Sequence, residues 1–514
     1  MEQINLNDLF LKLNNEKKNI ECINNYQPRI TKAVYENSIL KDILKSIPQI
    51  FEEDVNKEAA KNKLKDGADV LVIQKLLEIS DSLELSIIYE NYLIYIFIKT
   101  YWKPISEPLF KSFLSQVAIT CGIPELSAKK VATIGFLYAQ FMFDAAICTK
   151  DKVSKRHKIN LANGTFHVRD GESNEVSELK PHNKEDYFKY QLPFCYDPAA
   201  TALLFIKYLN RVLPDIDSQN ILFEYLGYIF IKNMKLEKIL ILYGSGSNGK
   251  SVLFEIIMAL LGKENVSNFS MENLCDEKGY HRVHIESKLL NYASEFGGKI
   301  NIQTFKKLVS GEPIDARSPH KEPVIIDNYC KFILNANKLP EIEHSDAFFR
   351  RQLILTFKQK ITEEEKDINL AKKIIKSELS GVFNLILQGL DRLILQQGFS
   401  KSSSVEHDLM MYRKETNSVS LFLDEENWGK STNSKTKLKD LYSNYRTYCL
   451  ESGQRAFAQP NFSKRLTELG FEIQHKGTNN YTYVWIEKNE VVSEINPFSE
   501  FTTQKEFVAE ILNS

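Results

Sequence analysis

A glycine-rich stretch of ten residues constrains the fold of this chain more than any other feature of its sequence. The stretch reads LYGSGSNGKS, from Leu242 to Ser251, and includes Gly244, Gly246 and Gly249. Glycine at this density costs backbone entropy, so the chain must need a sharp turn there. The apolar run EKILILY precedes the turn and KSVLFEIIMALLG follows it. This pattern predicts a buried strand that enters the turn and a helix that leaves it.

The turn also matches a phosphate-binding pattern. Its glycines, together with the lysine and serine that follow, satisfy G-x-x-x-x-G-K-S. Backbone N–H groups in such a turn and the positive end of the helix dipole attract phosphate. We therefore expect the turn to bind ATP, with Lys250 on the β- and γ-phosphates and the Ser251 hydroxyl on Mg²⁺. The predicted nucleotide-binding residues are Gly244, Ser245, Gly246, Ser247, Asn248, Gly249, Lys250 and Ser251.

Further polar residues flank apolar runs that resemble strands. The runs KLLNYASEF, KFILNAN and RQLILTF predict parallel strands of one α/β sheet. Glu295 lies at the end of LLNYASE in the first run and is a candidate to polarise the attacking water or to hold the metal, and Asn337 ends the second run and could orient that water. Arg350 and Arg351 lie at the head of the third run, where a guanidinium could stabilise the transition state from a neighbouring subunit. Taken alone, each residue is also consistent with a solvated strand end.

Length and composition indicate a globular protein of several domains. With 514 residues, of which 43% are hydrophobic and 26% charged, the chain is long enough for about three domains. Its most apolar run, YLIYIFI, is too short to span a bilayer, and its beginning lacks the apolar core of a signal peptide. Seven scattered cysteines without a CxxC pair argue against a zinc site or a disulfide framework. We expect a cytoplasmic protein with no membrane partner, and its net charge of −1 permits only a local basic patch for nucleic acid.

Taken in order, these elements resemble the superfamily 3 helicases of phages, plasmids and mobile genetic elements. The resemblance is to the C-terminal half of satellite-phage-type primase–helicases and to poxvirus-type NTPases. GSGSNGKS resembles their Walker A motif, KLLNYASE their Walker B motif and KFILNANKLPEI their motif C. DAFFRRQLILTF resembles the arginine-finger motif, in which Arg350 matches better than Arg351. The resemblance extends from about Ser86 to Lys488 and implies ATP and Mg²⁺ as cofactors, with Ser251 and Glu295 as metal ligands.

Two features of this chain depart from the family pattern. Several members carry paired acids at Walker B, whereas Ser294 precedes Glu295 here. The N-terminal region is also too short for the fused primase of the family, so a separate primase or replication initiator is a candidate partner.

The resemblance further implies a DNA-binding β-hairpin between Walker B and motif C. Its expected tip is ARSPHK, which makes Arg317, His320 and Lys321 the candidate DNA-binding residues. A cation beside a flat ring suits a phosphate and its sugar. Without the resemblance, the segment would also be consistent with an exposed loop that is charged for solubility.

The patterning predicts an α/β P-loop ATPase core with a parallel sheet, which follows a mixed α+β domain and precedes a winged helix. The resemblance implies that this core is of the AAA+ type. IIYENYLIYIFIKTYW predicts strands, and INLANGTFHV predicts a hairpin that turns at Asn163-Gly164, followed by a second turn at Asp170-Gly171. The segments are 1–80, a helical accessory region; 81–225, the mixed domain; 226–362, the ATPase core; 363–415, a helical linker; 416–490, the winged helix; and 491–514, a tail.

Two helices also have predicted faces. In one helix, the residues expected on the buried face are Leu204, Phe205, Tyr208, Leu209 and Val212. In the winged-helix segment, Phe462, Leu466 and Leu469 are expected to face inward and Ser463, Lys464 and Arg465 outward. That outward face suits either duplex DNA or a protein partner.

The expected function is that of an ATP-dependent replicative DNA helicase. It would form a ring, with a hexamer expected, and translocate 3′ to 5′ on single-stranded or forked DNA in a bacterial host or virus-infected cell. Two alternatives stay open. One is an ATP-switched replication initiator or helicase loader that unwinds nothing itself, and the other is a small-molecule P-loop kinase.

Overall fold

The computed structural model describes residues 29–50, 67–147, 157–169, 176–294, 300–319, 322–337, 346–415, 417–454, 456–475 and 481–489, together with Phe296 and Leu339. The predicted turn at Asp170-Gly171 lies outside these ranges. So do three candidate site residues, Glu295, His320 and Lys321.

Helices and strands alternate along the described ranges. The helices are α1 (Arg29–Glu36), α2 (Ser38–Ser46), α3 (Ala68–Ser82), α4 (Glu107–Thr120), α5 (Glu125–Ala128), α6 (Val131–Asp144), α7 (Leu203–Val212), α8 (Ile216–Tyr228), α9 (Lys250–Leu261), α10 (Met271–Leu274), α11 (Ile302–Ser310), α12 (Asp346–Phe349), α13 (Leu370–Ser377), α14 (Leu379–Gln396), α15 (Ser403–Glu415), α16 (Ser418–Glu425), α17 (Leu438–Glu451) and α18 (Gln459–Glu468). The strands are β1 (Ile87–Glu90), β2 (Leu93–Phe97), β3 (Trp102–Ile105), β4 (Lys158–Leu161), β5 (Gly164–His167), β6 (Glu178–Lys180), β7 (Ile239–Tyr243), β8 (Val266–Ser267), β9 (Leu290–Ala293), β10 (Ile314–Ala316), β11 (Val324–Ile326), β12 (Lys331–Ala336), β13 (Gln352–Thr356), β14 (Trp428–Lys430), β15 (Thr436–Lys437), β16 (Ile473–Gln474), β17 (Tyr483–Val484) and β18 (Ile486–Lys488).

A five-stranded parallel sheet forms the centre of the molecule. Its strand order is β13-β7-β12-β9-β8, and every neighbouring pair is parallel. Both faces of β7 are buried, because Leu240 and Leu242 join one hydrophobic cluster while Ile239 and Ile241 join another. Burial on two faces explains why the run is apolar throughout instead of alternating. The predicted parallel strands of one α/β sheet are therefore confirmed.

Two further hydrophobic cores are formed by residues that come before and after the parallel sheet in the sequence. One core gathers buried residues from Val34 to Ala145, so the predicted segment boundary at residue 80 lies inside it. It combines helices α1 to α6 with the antiparallel sheet β1-β2-β3, as the IIYENYLIYIFIKTYW run predicted. The other core gathers residues from Val419 to Ile486. Residues from Ile159 onward instead join the cluster of the parallel sheet, in which α8 packs against α14.

The predicted hairpin of INLANGTFHV exists, but its turn lies one residue earlier than expected. Leu161 on β4 pairs with Gly164 on β5, so Ala162 and Asn163 form the turn. The glycine is required for another reason. A Cβ atom at Gly164 would lie 2.5 Å from the carbonyl oxygen of Lys180 on β6.

Two predicted side-chain positions are wrong. Arg465 was expected to face outward, but it is buried, and its guanidinium lies 4.0 Å from the ring centre of Phe457. A cation over an aromatic face is stabilised by the ring, so the arginine fits inside the core. Leu204 was expected to be buried, but 39% of it is exposed because it lies in the first turn of α7, where its side chain points beyond the core. Phe205, Tyr208, Leu209 and Val212 form the buried face as predicted.

The described part of the chain contains no cluster of three or more His, Cys, Asp or Glu side chains that could hold a metal ion. Its cysteines are unpaired thiols: Cys121, Cys195, Cys275, Cys330 and Cys449. Within these ranges, no helix has the length and apolar character that crossing a membrane would require.

Candidate nucleotide-binding site

The glycine-rich turn lies at the carboxyl end of β7 and leads into α9. The backbone N–H of Gly244 donates to the carbonyl of Ala336 at the end of β12, over 3.0 Å. The N–H of Phe357, just after β13, donates to the carbonyl of Tyr243 over 2.7 Å. The turn is thus anchored to both neighbouring strands, and the carboxyl ends of β7, β12 and β13 meet around it.

Two glycines of the turn are required by close contacts. Gly249 has a φ of +87°, and a Cβ atom there would lie 2.8 Å from Val212 Cγ1 of α7. A Cβ atom at Gly244 would lie 2.8 Å from the carbonyl oxygen of Phe357. The Tyr208 hydroxyl of α7 also donates to the Gly249 carbonyl over 2.9 Å. Helix α7 therefore packs against the turn at Gly249, a contact that the sequence did not predict.

Lys250 is a buried ammonium group without a carboxylate partner among the described residues. It is the first residue of α9, and only 7% of it is exposed. Its Nζ donates to the Gly244 carbonyl, to Asn248 Oδ1 over 3.2 Å and to Asn337 Oδ1 over 3.4 Å, all of them neutral acceptors. Burial lowers the pKa of Lys250 below its usual value because it penalises the charged form. Phosphate oxygens would supply the negative charge that these acceptors lack.

Other polar groups around the turn are also placed to contact a triphosphate. Ser251 is exposed in the first turn of α9, a helix of 12 residues whose N-terminus carries the positive end of its dipole. Asn248 Nδ2 donates to the Phe357 carbonyl over 3.1 Å, which fixes the side chain whose oxygen faces Lys250. Asn337 is exposed directly after β12. The structure therefore brings together Lys250 and Asn337, two residues that the sequence predicted for one site.

The two arginines lie at the amino end of β13, on the opposite edge of the sheet. The side chain of Arg350 is 64% exposed, and its guanidinium lies 3.5 Å from Glu237 Oε2. Arg351 is buried, with 7% of its side chain exposed, and donates to Glu237 Oε2 over 2.7 Å. Arg351 also donates to the Ala347 carbonyl over 2.6 Å and to Ser310 Oγ over 3.0 Å. Glu237, which the sequence did not indicate, thus binds both arginines.

A β-hairpin lies between β9 and β12 in the chain. Its strands β10 and β11 are antiparallel, with Ile314 opposite Ile326 and Ala316 opposite Val324. Arg317 is exposed just after β10. Arg282, buried before β9, donates to the backbone oxygen of Asp315 over 3.0 Å and to its carboxylate over 2.7 Å. Nothing in the sequence around Arg282 indicated this contact.

Comparisons with known proteins relate the chain to helicases. Residues 82–214 match the family described as "D5 N terminal like", and residues 242–351 match a family of unknown function, DUF5906. The second match contains the glycine-rich turn, Asn337 and Arg350. A protein of Acanthamoeba polyphaga mimivirus named "Putative helicase" is 26% identical over 180 residues, which cover 32% of this chain and 18% of that protein. The match thus spans less than a fifth of the relative's length.

Solved structures are similar only at low identity. The C-terminal region of NrS-1 in its apo form has 14% identity and a TM-score of 0.47, over 80% of this chain and 98% of that one. A JCV helicase bound to a small molecule has 14% identity and a TM-score of 0.27, over 42% of this chain and 64% of that one.

Proposed function

We propose that this chain is an ATP-dependent DNA helicase of viral, phage or plasmid replication. The observation that carries the proposal is Lys250, a buried ammonium at the carboxyl end of a parallel sheet whose described partners are all neutral. A P-loop that holds an unpaired cation in this position is suited to a nucleoside triphosphate. The named similarity to a mimivirus helicase favours a helicase over other P-loop proteins.

The proposed architecture is an AAA+-type P-loop core followed by a winged helix. Strand β7, which leads to the P-loop, lies between β13 and β12, which supports this core. Helices α17 and α18 with the small sheet β15-β17-β16 support the winged helix. The segment boundaries proposed for the ATPase core and the winged helix remain 226–362 and 416–490.

In the proposed reaction, Lys250 and the backbone of the turn bind the triphosphate. The Ser251 hydroxyl and Glu295 would hold Mg²⁺, which neutralises charge on the phosphates when bound. Glu295 would accept a proton from the attacking water, and Asn337 would orient that water. The exposed Asn337 side chain, next to Lys250 Nζ, supports this role.

The position of Arg350 favours catalysis between subunits. Strands β7 and β13 each have five residues and run in the same direction, so their two ends lie about 16 Å apart at ~3.3 Å per residue. Arg350 lies at the amino end and the P-loop at the carboxyl end, so the guanidinium cannot reach the triphosphate of its own subunit. We infer that Arg350 acts on a neighbour in a ring, for which a hexamer is proposed. Arg351 is committed to Glu237 and Ser310, which favours Arg350 as the finger.

The hairpin would couple hydrolysis to DNA. Arg317, His320 and Lys321 are the proposed contacts with the backbone of one strand, and movement 3′ to 5′ is proposed from the resemblance. The exposed side chain of Arg317 and the covalent link from β11 to β12, the strand directly before Asn337, support this coupling.

The test combines ATP turnover with strand displacement. The full chain is assayed for ATP hydrolysis with and without single-stranded DNA, and for displacement of a labelled strand from forked DNA, with Lys250→Ala as the inactive control. A helicase gives DNA-stimulated turnover and displacement. ATP binding without displacement would favour an initiator or loader, and turnover that is indifferent to DNA would favour a small-molecule kinase.

A further inference from the structure

Cations line the amino-terminal edge of the parallel sheet, opposite the P-loop. Lys331 is the first residue of β12, and Lys238 directly precedes β7. Lys232 and Lys235 lie in the loop between α8 and β7. We call Lys232, Lys235 and Lys331 the edge-lysine cluster.

Tyr228, the last residue of α8, contacts Lys331 and the loop that carries the other two lysines. The Lys331 ammonium lies 4.0 Å from the centre of the Tyr228 ring. The Tyr228 hydroxyl accepts a hydrogen bond from the backbone N–H of Leu236 over 3.1 Å, which fixes the loop that carries Lys232 and Lys235. Lys232 Nζ donates to Asn328 Oδ1 over 2.7 Å. Lys331 and Lys232 are thus each held by a neighbouring side chain, while Lys232 and Lys235 are exposed to solvent.

The cluster has no counter-charge among the described residues. None of its three lysines forms an ion pair with a carboxylate in those ranges. Two carboxylates of the surrounding segments have cationic partners of their own, since Glu237 pairs with Arg351 and Glu90 pairs with Lys189, each over 2.7 Å. Within the described residues, the three lysines therefore have no ion-pair partner.

Desolvation also destabilises the charged forms of Lys331 and Lys232. Burial, followed by the charges of neighbouring lysines, lowers the pKa of Lys331 to about 8. Lys232 is an exposed residue, and desolvation of its ammonium group, followed by the charge of Lys189, lowers its pKa to about 8. Such groups gain more from a bound anion than freely solvated lysines do.

The cluster adjoins the base of the β10–β11 hairpin. Asn328 lies in the short connection that joins the hairpin to β12, and Lys331 begins β12 directly after that connection. We propose that the edge-lysine cluster binds the phosphodiester backbone of single-stranded DNA, as a second contact beside the hairpin. This inference rests on the proposed function. A flexible polyanion is favoured as the ligand because lysine ammonium groups act as point charges that accept phosphates without sequence preference.

The experiment measures the salt dependence of DNA binding by the full chain. The triple variant K232Q/K235Q/K331Q is titrated against fluorescein-labelled oligo(dT), without nucleotide, by anisotropy at several salt concentrations. Each phosphate contact on a single strand contributes about 0.7 to the slope of log K against log salt, so the magnitude of the slope is expected to fall by about 2. The dissociation constant is expected to rise by at least about tenfold near 0.1 M salt. Basal ATP turnover is expected to remain unchanged.

Two controls separate charge from folding. K372Q/K376Q/K401Q removes the same charge at exposed lysines that form no ion pair within the described residues, and it is expected to keep the wild-type slope. K232R/K235R/K331R keeps the charge and is expected to retain binding, whereas a purely structural role would not be restored in this way.

Three results would overturn the inference. Unchanged affinity and slope in the triple glutamine variant, with DNA bound by the wild type, would refute the cluster and leave the proposed helicase intact. Loss of the oligomer in light scattering, with DNA affinity retained, would assign the cluster to a subunit contact. Failure of the wild type to bind oligo(dT) would overturn both the inference and the proposed function.

Discussion

Two adjacent arginines at the start of β13 have different environments, so their removal should have different consequences. Arg351 is buried and bonded to Glu237, Ser310 and Ala347, and Arg351→Ala is expected to lower the free energy of unfolding by about 1–3 kcal/mol. Arg350 is exposed, so Arg350→Ala should change the free energy of unfolding by less than about 0.5 kcal/mol.

Arg350→Ala should instead reduce kcat by about 10³-fold or more while nucleotide binding is retained. Denaturant unfolding, nucleotide titration and turnover assays check these outcomes. Normal turnover in Arg350→Ala would assign the arginine-finger role to Arg351 or show that neither arginine has it.

Lys250 illustrates a conflict between stability and function within one side chain. Its ammonium is desolvated and bonded only to neutral oxygens within the described residues. Lys250→Met keeps most of the volume and removes the charge, so Tm without nucleotide is expected to stay the same or to rise. The increase in Tm that ATP gives the wild type should disappear, together with turnover. Thermal unfolding with and without ATP measures both effects. A variant that is stabilised by ATP as strongly as the wild type would contradict a role for Lys250 in phosphate binding.

At the scale of elements, Arg282 connects the hairpin to α10. Its guanidinium donates to two oxygens of Asp315 on β10 and to the Leu274 carbonyl over 2.9 Å. Lysine cannot reproduce this fork of donors, so Arg282→Lys should loosen the hairpin. We expect basal turnover to persist while stimulation by single-stranded DNA falls. The ratio of turnover with and without DNA measures this effect, with Arg317→Ala as the comparison that removes a proposed DNA contact directly. Full stimulation in Arg282→Lys would argue against a positioning role.

The elements that the sequence predicted are those whose signals are local. The turn from Gly244 to Gly249 and the apolar runs around it predicted the strand, the helix and the parallel sheet, because each signal lies within one short segment. Contacts between distant segments could not be read in this way. The burial of Arg351, for example, depends on Glu237 and Ser310, which lie far from it in the chain. The roles proposed for Glu295, His320 and Lys321 remain predictions.

At the scale of the whole molecule, the residues proposed for hydrolysis and DNA binding lie at two opposite edges of the sheet. The carboxyl edge holds Lys250 and Asn337, and the amino edge carries Arg350 and the edge-lysine cluster. In the proposed function, one subunit therefore supplies only part of a hydrolytic site at each edge. A head-to-tail arrangement would bring Arg350 of one copy to the nucleotide of the next, and such a heterologous interface closes into a ring when the rotation between copies closes.

This arrangement makes a specific prediction for mixtures of variants. Lys250→Ala and Arg350→Ala are each expected to be inactive alone, the first because it lacks the phosphate contact and the second because its neighbours receive no guanidinium. In an equal mixture with random assembly, about a quarter of the interfaces join an intact Lys250 to an intact Arg350. Turnover should therefore recover to about a quarter of the wild-type rate when the mixture is allowed to exchange subunits. Either variant mixed with wild-type protein serves as the reference for exchange. If the two inactive variants stay inactive together although exchange occurs, the shared site is refuted, because no other pairing of intact residues could restore hydrolysis.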